Sequence, residues 1–127
     1  MYKLLFFCGA LLQITSSVFG QEINPRGYFS KDTILIGEHV DFTVIVNYPR
    51  GMEVLFPDSS YNFYPFEFLK KSYLNTVSDV TSSNDSVVYK LTTFELDSLQ
   101  ELAVPIFLLM DGDSTKIESN SDNLFIQ

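Results

Sequence analysis

Several residue types are scarce in this chain, and each shortage removes a class of function. It contains one cysteine (Cys8), no tryptophan and one histidine (His39) in 127 residues. Cys8 sits inside the early apolar run Leu4–Leu12. Everything after residue 20 therefore lacks the means for a disulfide, a thiolate metal site or a cysteine nucleophile. Cations are also few, with eight Lys and Arg against sixteen Asp and Glu, and Lys70-Lys71 is the only adjacent basic pair. A surface of that sign repels nucleic acid and anionic membranes. No glycine-rich phosphate loop and no histidine-rich metal motif occurs. Beyond the first twenty residues no apolar run approaches the roughly 20 residues of a membrane helix, and no segment of helical length carries a 3.6-residue period.

Residues 1–20 have three zones: a short start with Lys3, the apolar run, and a small-residue stretch ending Ser16-Ser17-Val18-Phe19-Gly20. That layout predicts an export signal. Val18 and Gly20 are small enough for a signal peptidase, which places cleavage after Gly20 and starts the mature domain at Gln21. Loss of Lys3 leaves seven basic residues against sixteen acidic ones, a side-chain charge of −9. Cys8 lies too early in the run to be a lipid-attachment cysteine.

Residues 21–127 read as one all-β domain. His39–Val46 alternates Val40, Phe42, Val44 and Val46 with His39, Asp41, Thr43 and Ile45, the pattern of a strand with one buried face. An edge strand is expected over Asp32–Ile36, a turn at Pro49-Arg50-Gly51, and a resumed strand at Glu53–Phe56 that Pro57-Asp58 stops. A short strand is expected within Ser72–Val80, then a polar turn at Thr81–Asp85. A long strand follows over Ser86–Leu96, with Val87, Tyr89, Leu91 and Thr93 on one face. Asp97–Glu101 reads as a turn or a single helical turn. Leu102–Met110 reads as a buried strand made irregular by Pro105, and Asp111-Gly112-Asp113 as a hairpin turn. Thr115–Glu118 and Leu124–Ile126 complete about seven short strands, which indicates an immunoglobulin-like sandwich without a disulfide. Lacking tryptophan and a cysteine pair, its core must rely on other rings.

Few constellations carry chemistry. His39, with Asp41 two residues on, is read as a solvated surface histidine rather than part of a triad. The acid pairs Asp111/Asp113 and Glu95/Asp97 fall at a turn and a strand end with no pocket implied, so no catalytic or cofactor-binding residue is assigned. Asp111-Gly112-Asp113-Ser114 and Asn120-Ser121-Asp122-Asn123 offer oxygens to calcium, and the two could share one end of the sandwich. Neither has the spacing of a calcium loop, and plain turns are the favoured reading. The ring-rich stretch Tyr61–Phe68 serves either core completion, which is favoured, or recognition through Tyr61, Tyr64 and Phe66.

The pieces Gly27-Tyr28-Phe29, Asp32-Thr33-Ile34, Ile36-Gly37-Glu38, Phe56-Pro57-Asp58, Pro65-Phe66-Glu67, Tyr89–Glu95 and Val104-Pro105 resemble the N-terminal domain of BatD-like exported proteins of Bacteroidetes. The likeness covers most of residues 22–127. It implies an immunoglobulin-like domain on the periplasmic or outer side of a membrane, in proteins of envelope stress or assembly, with no catalytic residues to transfer. Members of that family commonly continue into a membrane-spanning helix. No such stretch is present here, so anchoring is not carried over. On the same resemblance, Thr33, Ser86, Ser98 and Ser114, each preceded by Asp, look like acceptors of O-glycosylation at turns or strand starts. The expected function is an exported, non-catalytic binding or scaffolding domain that contacts an envelope protein. The alternatives are a carbohydrate-binding module using exposed tyrosines and, behind it, an acid/base hydrolase.

Overall fold

The alternation at Val40–Val46 extends into a ten-residue strand whose valines and Phe42 are buried. The computed structural model describes residues 23–127, so the expected leader and its cleavage after Gly20 lie outside the described residues. In chain order the strands are β1 (Arg26–Phe29), β2 (Thr33–Ile34), β3 (Val40–Pro49), β4 (Glu53–Leu55), β5 (Glu67–Tyr73), β6 (Val77–Ser78), β7 (Ser82–Thr92), β8 (Leu99–Leu102), β9 (Pro105–Met110), β10 (Asp113–Glu118) and β11 (Asp122–Ile126). No helix forms among the described residues, and the fold is all-β.

One sheet runs β1-β3-β7-β5, with β6 beside β7; a second runs β10-β9-β4 and a third β2-β11-β8. Every pairing is antiparallel except β2 with β11. The second and third sheets continue one another, because β8 leads into β9 and β10 into β11. At the break, Ser119 N–H donates to the Val104 carbonyl (3.0 Å), and Val104 N–H donates to Ser119 Oγ (3.0 Å). A hydroxyl stands in for a ladder carbonyl there. Pro105 opens β9 without an N–H to offer. Interruptions of this kind, together with β1 and residues 67–71 of β5, where no strand was expected, account for eleven segments in place of about seven.

Buried faces of all three sheets meet in one core. Phe29 packs edge-on against Phe42 (centroids 4.9 Å) and tilted on Phe66 (5.2 Å), while Phe63 lies 5.0 Å from Tyr89. Each fully buried ring of this kind contributes about 1.5–3 kcal/mol relative to exposure, which replaces the missing disulfide. Tyr89 ties its hydroxyl to the Pro57 carbonyl at 2.6 Å, 32 residues away in sequence. Burial pushes that phenol far above its ordinary range. Tyr48 donates to Asp85 Oδ2 at 2.8 Å, and burial, with the Asp85 carboxylate adding to it, pushes its phenol up to about 12.

β1 sits close against the core because residue 27 is glycine. A Cβ there would stand 2.5 Å from Phe42 Cζ and 2.9 Å from Ser119 Oγ. On the open side of β1, Gly27 N–H donates to Asn120 Oδ1 (2.9 Å) and Asn120 Nδ2 donates back to the Gly27 carbonyl (2.9 Å). Phe29 N–H donates to Asp122 Oδ2 (2.8 Å). Side chains thus complete the edge ladder that backbone leaves unpaired.

Three expectations are corrected. Ser82–Asp85, expected as a polar turn, is the start of β7: Asn84 faces Asn47 of β3 and accepts its amide at 2.9 Å, which gives polar residues a place in the ladder. That strand ends at Thr92 rather than Leu96. Leu99–Glu101, the second half of the expected turn or helical turn Asp97–Glu101, belongs to strand β8, with Gln100 and Leu102 facing inward.

Candidate functional site

Two clefts lie along β4 and β9. Glu53, Val54 and Leu55 of β4 pair with Leu109, Leu108 and Phe107 of β9. Val54 and Leu108 turn to the core, so Glu53, Leu55, Phe107 and Leu109 share the outer face. One cleft, of about 520 Å³, opens at the Met110 end and is lined by Met52, Leu109 and Met110 between the carboxylates of Glu53 and Asp111. Its lips are the β3–β4 turn at Gly51 (φ 99°) and the β9–β10 turn at Asp111-Gly112 (φ 49° and 84°). The latter is the hairpin turn expected from Asp-Gly, with both central residues left-handed.

A second cleft, of about 430 Å³, lies at the Leu55 end, lined by Leu55, Phe107 and Tyr61 with Asp58 and Ser60 at its rim. Asp58 Oδ1 accepts from Ser60 Oγ (2.6 Å) and Ser60 N–H (2.9 Å). Those bonds hold its carboxyl below the usual carboxylate range. Tyr61 is half-buried and stacks edge-on against Phe63 (4.9 Å). Burial and, second, the Glu118 charge push its phenol up. Both clefts fall within the volume range of small-ligand and side-chain pockets.

The proposed recognition residues separate. Phe66 is 5% exposed and is a core ring, because Phe29 covers it; it is not part of a surface. Tyr61 reaches the second cleft, whereas Tyr64, 66% exposed beside the cis Tyr64–Pro65 peptide, lines neither. The expected acceptor hydroxyls also differ. Thr33 on β2, Ser98 before β8 and Ser114 on β10 are exposed, but Ser86 is half-buried in mid-β7 opposite Ile45, neither a turn nor a strand start. His39 is exposed just ahead of β3.

The two oxygen-rich turns do not share one end. All of β10 lies between them, six residues or about 20 Å of extended chain. Asn120 and Asp122 are spent on the β1 backbone. Among the described residues no group of three or more His, Cys, Asp or Glu side chains is placed to hold a metal ion, and no helix is long and apolar enough to cross a membrane.

Sequence reasoning missed Met52 and Met110, which join one cleft only because the β3–β4 and β9–β10 turns fall side by side. It also missed the pair Thr93 and Gln100. Comparison with protein-family models, with curated proteins and with solved structures found no match.

Proposed function

We propose that this chain is an exported, non-catalytic binding or scaffolding domain that contacts another protein of the cell envelope through the β4–β9 face. The observation that carries the reading is two open clefts on one continuous sheet face, apolar at the centre and acidic at the ends. Apolar centres with polar rims are how protein interfaces are built. An immunoglobulin-like topology is supported by the strand order. β1-β3-β7-β5 corresponds to the four-strand sheet of that fold, and β4 with the β8–β9 and β10–β11 lines corresponds to the three-strand sheet, with β2 added beside β11. The resemblance to BatD-like proteins and the leader-like first twenty residues support an envelope location. Photo-crosslinkers at Leu55 and Leu109, exposed to envelope extract, are expected to label one protein, and Phe107→Ser is expected to abolish that labelling. No discrete product at either position defeats the reading.

A second reading, carbohydrate binding, is favoured by one observation: Tyr61 and Phe107 flank a cleft rimmed by Asp58 and Ser60. Sugar rings stack on such aromatic faces while hydroxyls and carboxylates bond their edges. A glycan array bound by the protein and silenced by Tyr61→Phe with Phe107→Ala would move the conclusion to it.

A further inference from the structure

The end of the molecule remote from Met110 exposes large apolar side chains that packing leaves unexplained. Phe94 is 59% exposed, Leu96 81%, Leu99 51% and Phe125 55%. Leu99 faces Phe125 across β8–β11, and Phe125 faces Thr33 across β11–β2, so Leu99, Phe125 and Thr33 share one outward face, while the Phe94 ring lies over Gly37. The 93–98 loop joins them: Ile126 N–H donates to the Ser98 carbonyl (2.9 Å), and Gly37 N–H to the Thr93 carbonyl (2.9 Å).

The loop is fastened from below. Buried Gln100 donates through Nε2 to the Glu95 and Asp97 carbonyls (2.9 and 3.1 Å) and accepts at Oε1 from Thr93 Oγ1 (2.7 Å). Thr93 Oγ1 in turn accepts from Glu95 N–H (3.2 Å). Phe94 and Leu96 are thereby held outward by a backbone that is already ordered, which lowers the entropic cost of binding. The segments that carry these side chains are acidic. Residues 31–38 and 93–101 carry Asp32, Glu38, Glu95, Asp97 and Glu101 against one cation, Lys31, which Glu38 engages at 2.9 Å.

We propose that this end is a second docking surface, for a cationic amphipathic segment of a partner protein. Leu96, Leu99, Phe94 and Phe125 meet its apolar side chains, and Glu95, Asp97 and Glu101 meet its Lys or Arg groups. A second copy of this chain would bring carboxylates against carboxylates, and an anionic bilayer is repelled for the same reason. The inference goes beyond the β4–β9 reading and uses none of its residues.

The probe is a peptide of about ten residues that alternates leucine and lysine, titrated into the ¹⁵N-labelled protein. Shifts are expected at amides 94–99 and 125. Leu96→Ser with Leu99→Ser, both at exposed positions, is expected to weaken binding tenfold or more, and Glu95→Gln with Asp97→Asn to do the same. Peptides alternating leucine with glutamate, or serine with lysine, should not bind. Four results overturn the proposal: equal binding of the serine–lysine peptide; binding untouched by the leucine substitutions; shifts confined to the β4–β9 face; or a dimer in sedimentation that the leucine substitutions dissociate. Crosslinking at Leu55 and Leu109 reads the other face, so the two readings fail separately.

Discussion

Gly27→Ala places a methyl group where the core has no room. The new Cβ would lie 2.5 Å from Phe42 Cζ, 2.9 Å from Phe42 Cε1 and 2.9 Å from Ser119 Oγ. Reaching an ordinary carbon–carbon separation of about 3.6 Å requires the ring, or β1, to move about 1 Å. The ring is fully buried and packed edge-on against Phe29. β1 cannot withdraw freely either, because Asn120 bonds Gly27 through both N–H and carbonyl. Overpacking of this kind costs about 1–3 kcal/mol, and loosening the two amide bonds adds about 0.5–1.5 kcal/mol each. Since Gly27 is not among the positive-φ glycines, alanine recovers about 0.4–1 kcal/mol through the unfolded chain. The expected net loss is about 3 kcal/mol, or roughly 12 °C or more in Tm for a domain of this size. Urea unfolding followed by circular dichroism measures it. Combining the change with Phe42→Leu should give a destabilisation at least about 1 kcal/mol smaller than the sum of the singles. Wild-type stability within about 0.5 kcal/mol, or strict additivity, would refute the packing argument.

Asn120→Ala is expected to destabilise by about 1–2 kcal/mol, since both polar groups of Gly27 lose a partner; amide exchange at Gly27 and Phe29 should accelerate first. Gln100→Leu removes the donors to the Glu95 and Asp97 carbonyls, and ¹⁵N relaxation should show residues 94–98 becoming mobile while the β7 amides stay rigid. Asp79 accepts from Thr81 and Ser82 N–H, which hold its carboxyl below the ordinary 3.8. A depressed value means that its contribution is present above the unfolded pKa and lost as pH falls through the folded one, so a carboxyl NMR midpoint at or above 3.8 contradicts the contact. Tyr48 works in the opposite sense: its raised phenol stabilises fully below the unfolded value of 10.0 and loses that effect as pH climbs towards about 12. Tyr48→Phe should therefore blunt alkaline unfolding above pH 10.

Period-two alternation made β3 and most of β7 legible, because a strand with one buried face leaves that mark directly in the chain. Asp111-Gly112 likewise announced its hairpin, as few other pairs accept two left-handed residues. Ser82–Asp85 was opaque, since four polar residues look like a turn unless the partner strand is known to offer Asn47 opposite. Leu99–Glu101 was hidden for a related reason: buried Gln100 reads as surface until its three bonding partners are seen. The clefts were illegible altogether. Met52 and Met110 are 58 residues apart, and only the pairing of β4 with β9 brings their turns together.

The parallel pairing of β2 with β11 has a mechanical consequence. Phe125 N–H bonds the Asp32 carbonyl and Gln127 N–H the Ile34 carbonyl, both at 2.9 Å, between two strands that point the same way. Tension applied from opposite ends of the chain would slide these strands past one another and strain both bonds together, instead of peeling them apart one at a time. The short contact between an early and a late segment thus acts as a shear clamp, giving a chain without covalent bridges its resistance to being drawn out lengthwise.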